Sequence, residues 1–121
     1  MPFEISKETD HLLIQLSGSL SGEELLAMGR ELRTLEEANP SFPRIADLTS
    51  IETLNLGFLE IEALANVRRA LVLAVPMRSA LIARRPLHIG YARMFQSLND
   101  NPRISIRIYG TREEALQWLK E

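Results

Sequence analysis

Two histidines, no cysteine and sixteen carboxylates set the limits of what this 121-residue chain can do chemically. The most pointed grouping is Arg84-Arg85 directly before Pro86, with His88 and Arg93 farther along the same expected helix. Free amides at a helix start, the partial positive charge there and two guanidinium groups suit a phosphate or carboxylate. Pro86 removes one of those amides, and no glycine-rich loop accompanies it. A second grouping, Asp47 with Thr49 and Ser50, falls at the expected carboxyl end of a strand. Open α/β sheets bind ligands outside such ends, although Asp and Ser also turn backbones there by capping their own amides. His11 has no partner in view. Two histidines without cysteine make no metal-ligand spacing, so no metal is expected. The chain has no Gly-x-Ser-x-Gly elbow, Walker loop or dinucleotide fingerprint. Glu60 and Glu62 are two apart on a helix and face different ways. No catalytic set assembles, and neither an enzyme nor a cofactor is expected.

The composition, 45% hydrophobic and 25% charged, is that of an ordinary globular protein. The length predicts one domain over residues 1–121, able to bury about two-thirds of its unfolded surface. Without cysteine there is no disulfide and no thiolate chemistry. Met1-Pro-Phe-Glu-Ile has neither the basic segment nor the apolar core of a secretory signal. The longest uncharged apolar run, Ala70 to Met77, falls short of the ~20 residues that cross a bilayer. No membrane span and a cytoplasmic location are the expectations.

Charge is unevenly spread. Residues 1–62 hold twelve acids and four bases, a balance of −8, whereas residues 63–121 hold four acids and ten bases, a balance of +6. Between Glu62 and Asp100 there is no acid, while Arg68, Arg69, Arg78, Arg84, Arg85 and Arg93 all fall there. The halves can neutralise each other within the fold or across a dimer, or the arginines can form a local anion site. A pI near 5.7 argues against nucleic acid as the partner.

The elements that must position these residues are legible in outline. Phe3 to Lys7 and His11 to Ser17 read as a hairpin, the second strand alternating at Leu12, Ile14 and Leu16. Gly18-Ser-Leu-Ser reads as the connection to a helix opened by a Ser21–Glu24 capping box, with an apolar stripe at Leu25, Met28, Leu32 and Leu35. Asn39-Pro-Ser-Phe-Pro ends that helix and delivers a third strand, Arg44 to Leu48. Leu56 to Leu71 reads as a helix whose Phe58, Leu59 and Ile61 cover too much of its circumference for a single buried contact. Val72-Leu-Ala-Val either continues it or opens into an extended connection before Pro76. The last third reads strand, helix, strand, helix: Arg78 to Arg84, Pro86 to Gln96, Arg103 to Tyr109 and Thr111 to Leu119. The third helix carries Leu87, Tyr91, Met94, Phe95 and Leu98 at spacings of three and four. Two strands joined through a helix predict a parallel pair with a right-handed crossover. The expected fold is an α/β sandwich, ββαβαβαβα, around a mixed five-stranded sheet.

With these residues in place, the chain resembles the SpoIIAA-like bacterial proteins, small relatives of STAS and CRAL-TRIO domains. The resemblance rests on Gly18-Ser-Leu-Ser-Gly-Glu-Glu, Arg44-Ile-Ala-Asp-Leu, Ser79-Ala-Leu-Ile-Ala, Gly90-Tyr-Ala-Arg-Met-Phe and the closing Tyr109-Gly-Thr-Arg-Glu-Glu-Ala-Leu-Gln-Trp-Leu. It implies partner-protein binding of the STAS kind, with Thr49 and Ser50 nearest the position where the classical members carry a phosphorylatable serine. That family's Asp-Ser-Ser-Gly is here Asp47-Leu-Thr-Ser-Ile. The CRAL-TRIO side implies an enclosed apolar ligand.

Two functions follow as expectations. The first is a non-enzymatic regulatory or protein-interaction module, a homodimer or the binder of another protein through Phe58, Leu59 and Ile61. The second is a carrier of a small apolar or amphiphilic anion, with Arg84, Arg85, His88 and Arg93 near its head group.

Overall fold

The computed structural model describes residues 2–39, 42–69, 76–99 and 101–121. The strands are β1 (Phe3–Lys7), β2 (Leu12–Ser21), β3 (Arg44–Asn55), β4 (Met77–Ile82) and β5 (Ile104–Tyr109). They are interleaved with α1 (Gly22–Ala38), α2 (Phe58–Arg69), α3 (Pro86–Leu98) and α4 (Arg112–Leu119). This is the expected ββαβαβαβα order. The sheet runs β1-β2-β3-β4-β5, antiparallel only between β1 and β2. Strand order in space thus follows strand order in sequence, each parallel step being made by one helix.

Alternation assigns the two sheet faces. The register aligns Leu12, Arg44 and Ser79 in one row, and Ile14, Ala46, Leu81 and Ile108 in the next. This front face packs against α1, α2 and α3, whose Leu25, Met28, Leu32, Ile61, Leu64 and Ala92 close the larger core. On the back face Leu13, Ile45, Ala80 and Ile82 meet Ala115 and Trp118 of α4 alone. Helix α4 packs mainly against β4 and β5, where the guanidinium groups of Arg78 and Arg107 lie 5.4 and 5.2 Å from the Trp118 ring centre. Exposed Glu4, Gln15 and Ser17 occupy the β1–β2 side.

The two largest boundary differences from the sequence reading fall in β2 and β3. Strand β2 runs through Gly18-Ser-Leu-Ser up to the Ser21 cap itself, and β3 extends seven residues past Leu48 to Asn55. The cause is a pair of irregularities in the β2–β3 ladder. Gln15 to Ser17 faces Asp47 to Ser50, and Gly18 to Ser19 faces Ile51 to Thr53, so β3 carries an extra residue each time. Each insertion breaks period two, then restores the inward side at Ile51 and Leu54. Gly18, beside the second irregularity, has φ +65°, a conformation open to glycine without strain. The expected helix end at Leu71 and the alternatives for residues 72–75 lie outside the described residues.

Helix α1 begins as its sequence dictates. The Ser21 hydroxyl accepts from the Glu24 amide at 3.3 Å, and the Ser21 amide donates to the Glu24 carboxylate at 3.1 Å. At Gly29 α1 comes so close to α2 that an added Cβ would stand 2.9 Å from Leu64 Cδ1. Glycine there sets the spacing of the helical layer over the sheet.

Candidate functional site

Between the front face and α1–α3 lies an apolar chamber of about 100 Å³. Its floor follows β3 through Arg44, Ala46, Leu48, Ile51 and Leu54, and its roof includes Met28, Leu64, Tyr91 and Phe95. Ala46, Leu54, Leu56, Tyr91 and Phe95 are only half-buried, so the chamber is not sealed. Two bulges in β3 bring Ile51 and Leu54 into the floor; an unbroken alternation would turn one of them out. Tyr91 donates its hydroxyl proton to the Leu56 carbonyl at 2.6 Å and ties α3 to the entry of α2. That bond satisfies the one polar atom of the Tyr91 side chain at the chamber wall.

The chamber is polar at one end. Arg44 is 4% exposed and enters the chamber with Ser79, whose hydroxyl lies 3.4 Å from Arg44 Nε. An ion pair joins the Arg44 guanidinium to the Glu36 carboxylate on α1, itself 9% exposed. Burying either charge alone costs several kcal/mol, roughly, so the pair is retained as a unit. Arg44 opens β3 and Leu54 lies near its end, so the ion pair marks the amino-end side of the strands and Tyr91 the carboxyl-end side.

The sequence reading missed Arg44, since an arginine that opens a strand resembles a surface residue. Its signal was Glu36, four residues past Leu32 and therefore on the apolar stripe of α1. An acid on that stripe requires a buried base.

The expected switch and anion-site residues lie elsewhere. Asp47, Thr49 and Ser50 do not follow a strand end; they sit within β3, where the first bulge disrupts the ladder. Asp47 accepts from the Thr49 amide at 2.9 Å, from the Thr49 hydroxyl at 2.6 Å and from Arg112 of α4 at 3.1 Å. Burial pushes the Asp47 carboxyl up, but the Thr49 bonds and Arg112 outweigh it and hold the group below its ordinary range. Both carboxylate oxygens are engaged on the back face, and Ser50 is exposed beside them.

Arg84 and Arg85 are exposed in the turn between β4 and α3 and do not line the chamber. Arg93, two turns along α3, is also exposed and is not brought together with them by their common turn. His88 is buried, at 2% exposure, with Nδ1 making no hydrogen bond among the described residues. Burial, and then the nearby Arg85 charge, hold its imidazole below the ordinary histidine value.

Of the three expected interface residues, Phe58 and Leu59 are 50% and 74% exposed. Ile61 is not at the surface: it is 4% exposed and part of the front core. Helical period explains the split, because Ile61 shares the inward side with Leu64 and Ala65. Leu87, expected on the buried stripe of α3, is instead 57% exposed. Among the described residues no group of three or more His, Asp or Glu side chains could hold a metal ion, and no helix is long and apolar enough to cross a membrane.

No protein-family model and no curated protein matches the chain. Among solved structures it is similar to an uncharacterised protein of the DUF3478 family with a SpoIIAA-like fold from Shewanella loihica PV-4. The two share 20% identity over 97% of this chain and 91% of that one, with a TM-score of 0.64. At that identity the likeness concerns fold alone. The fold is SpoIIAA-like, as the sequence resemblance implied.

Proposed function

We propose that this protein is a non-enzymatic binding module that holds a small apolar or amphiphilic ligand between its sheet and α1–α3. The observation that carries this reading is the apolar chamber with Arg44, Ser79 and Glu36 at one end. Apolar voids of roughly 150 Å³ stay dry and take up benzene-sized molecules, so one of about 100 Å³ fits a short alkyl or small ring group. Because Glu36 already neutralises Arg44, the polar end favours a hydroxyl or carbonyl over a full negative charge. The ligand class thereby shifts from anion towards neutral amphiphile.

The test is native mass spectrometry on protein purified without denaturation, beside an Ala92→Phe variant. Ala92 lines the chamber and is 2% exposed, so the larger side chain fills the space. Excess mass on the parent protein, absent after denaturation and absent from the folded variant, supports the reading. Equal excess mass on both places the ligand elsewhere.

The exposure of Phe58, Leu59 and Leu87 supports a second reading, protein contact through the starts of α2 and α3. Phe58→Glu is then expected to dissociate a homodimer while leaving the circular-dichroism spectrum unchanged. A parent protein already monomeric by sedimentation removes self-association from this reading.

A further inference from the structure

Helix α3 opens differently from α1 and α4. Helix α1 has Ser21 as its cap with Glu23 and Glu24 in the first turn; α4 has Thr111 as its cap with Glu113 and Glu114. Helix α3 has neither: Arg85 stands at the cap position without a side-chain bond, and the first turn holds no acid. The first bond of α3 runs from the Ile89 amide to the Arg85 carbonyl, which leaves the amides of Leu87 and His88 ahead of it. A free helix start with basic flanks attracts an anion.

The topology favours a crevice at this point. After β4 the chain turns to the front layer as α3, and after adjacent β5 it turns to the back layer as α4. Neighbouring strands whose connections leave to opposite sides open a cleft beyond their carboxyl ends, where α/β sheets place ligands. The last rung below it is the Ala83 amide donating to the Tyr109 carbonyl at 3.0 Å. Arg84 and Arg85 flank the β4 side of this cleft, and neither is paired with a carboxylate among the described residues. Arg112 flanks the β5 side and is held by Asp47.

His88 supplies an independent indication. This residue is 98% buried in the first turn of α3, and its Nδ1 has no partner among the described residues. Helical side chains lean towards the helix start, which directs this ring back to Arg85 and the strand end. A buried polar atom without a partner is uncommon, and a ligand is one way to satisfy it.

We infer that the cleft between the β4–α3 and β5–α4 turns is a phosphate-binding site formed by Arg84, Arg85, the Leu87 and His88 amides and the His88 ring. This site is separate from the chamber and stands independently of the chamber's ligand. The recognised group is a tetrahedral phosphate, either in solution or on a lipid headgroup.

The experiment is amide and imidazole NMR during titration with inorganic phosphate, and in parallel with phosphatidylcholine vesicles with or without phosphatidic acid. Saturable shifts of the Leu87, His88 and Ile89 amides and of the His88 ring with inorganic phosphate are expected. The same shifts with phosphatidic-acid vesicles alone would support the site and identify the headgroup as its source. Arg84→Ala should weaken binding about tenfold, the loss of one charge-assisted contact. Arg85→Asp supplies the missing cap and removes a cation, so it should abolish binding while the melting temperature holds or rises. Absence of saturable shifts with either probe, or shifts unaltered by Arg85→Asp, overturns the inference.

Discussion

The two faces of one sheet bury charge in opposite ways. On the front, under three helices, Arg44 and Glu36 are withdrawn from water beside an apolar chamber. On the back, under one short helix, Asp47 and Arg112 meet at 3.1 Å with side chains 17% and 40% exposed. Both pairs link a helix to β3, separated along the strand by three residues. What differs is solvent. The back pair is screened and contributes little, whereas the front pair contributes little as a unit but makes each member indispensable to the other. Cover from solvent decides which ion pair constrains the fold.

The contrast breaks most visibly at Glu36. Replacing Glu36 with Ala leaves Arg44 charged and buried, an expected loss of about 3–5 kcal/mol in urea unfolding. Replacing the pair together, Glu36→Leu with Arg44→Met, should return most of that loss, since volume-matched apolar residues commonly substitute for a buried pair. A double variant as unstable as the single one would mean that the pair itself is stabilising.

Asp47→Ala on the back face should cost less, about 1–2 kcal/mol, mainly because the Thr49 amide loses its acceptor. Added salt should narrow the parent–variant difference here and leave that of Glu36→Ala nearly unchanged.

Acid titration sharpens the comparison further. Asp47 has a folded value below its ordinary 3.8, so its contribution is complete above that range and is lost only as pH falls through the lower folded value. His88 is also depressed, but from 6.5. As pH falls through 6.5 the unfolded chain takes up the proton first, so this stability is complete above 6.5 and declines until the folded value is reached. Between about pH 7.5 and about pH 5, His88→Gln should therefore flatten the stability slope, whereas Asp47→Asn should leave it intact. Equal slopes in the parent and His88→Gln would remove His88 as the source.

How legible each region was in the sequence follows from how local its determinants are. The α1 start was readable because Ser21 and Glu24 specify each other across three residues, and the βαβ order of the last third was readable for the same reason. The far half of β3 was hidden, because its two bulges put Leu48, Ile51 and Leu54 at spacing three, which imitates neither strand nor helix. The chamber was hidden with it. Arg44 acquires meaning only when the register sets it between Leu12 and Ser79 and the end of α1 brings Glu36 over it. Arg84, Arg85 and His88 were visible as types, but the cleft beside them depends on which layer each helix joins. Ile61 and Leu87 exchanged their expected environments because the phase of each helix is set by its neighbours.

The front–back distinction also gives the most direct test of the chamber. Methyl NMR during titration with benzene reads both faces in one experiment. Saturable shifts are expected at Ile51, Leu64 and Leu81, which line the chamber, with Leu13, Ile45 and Ile82 on the back face unmoved. Shifts spread equally over both faces, or none at all, would contradict a ligand chamber under α1–α3.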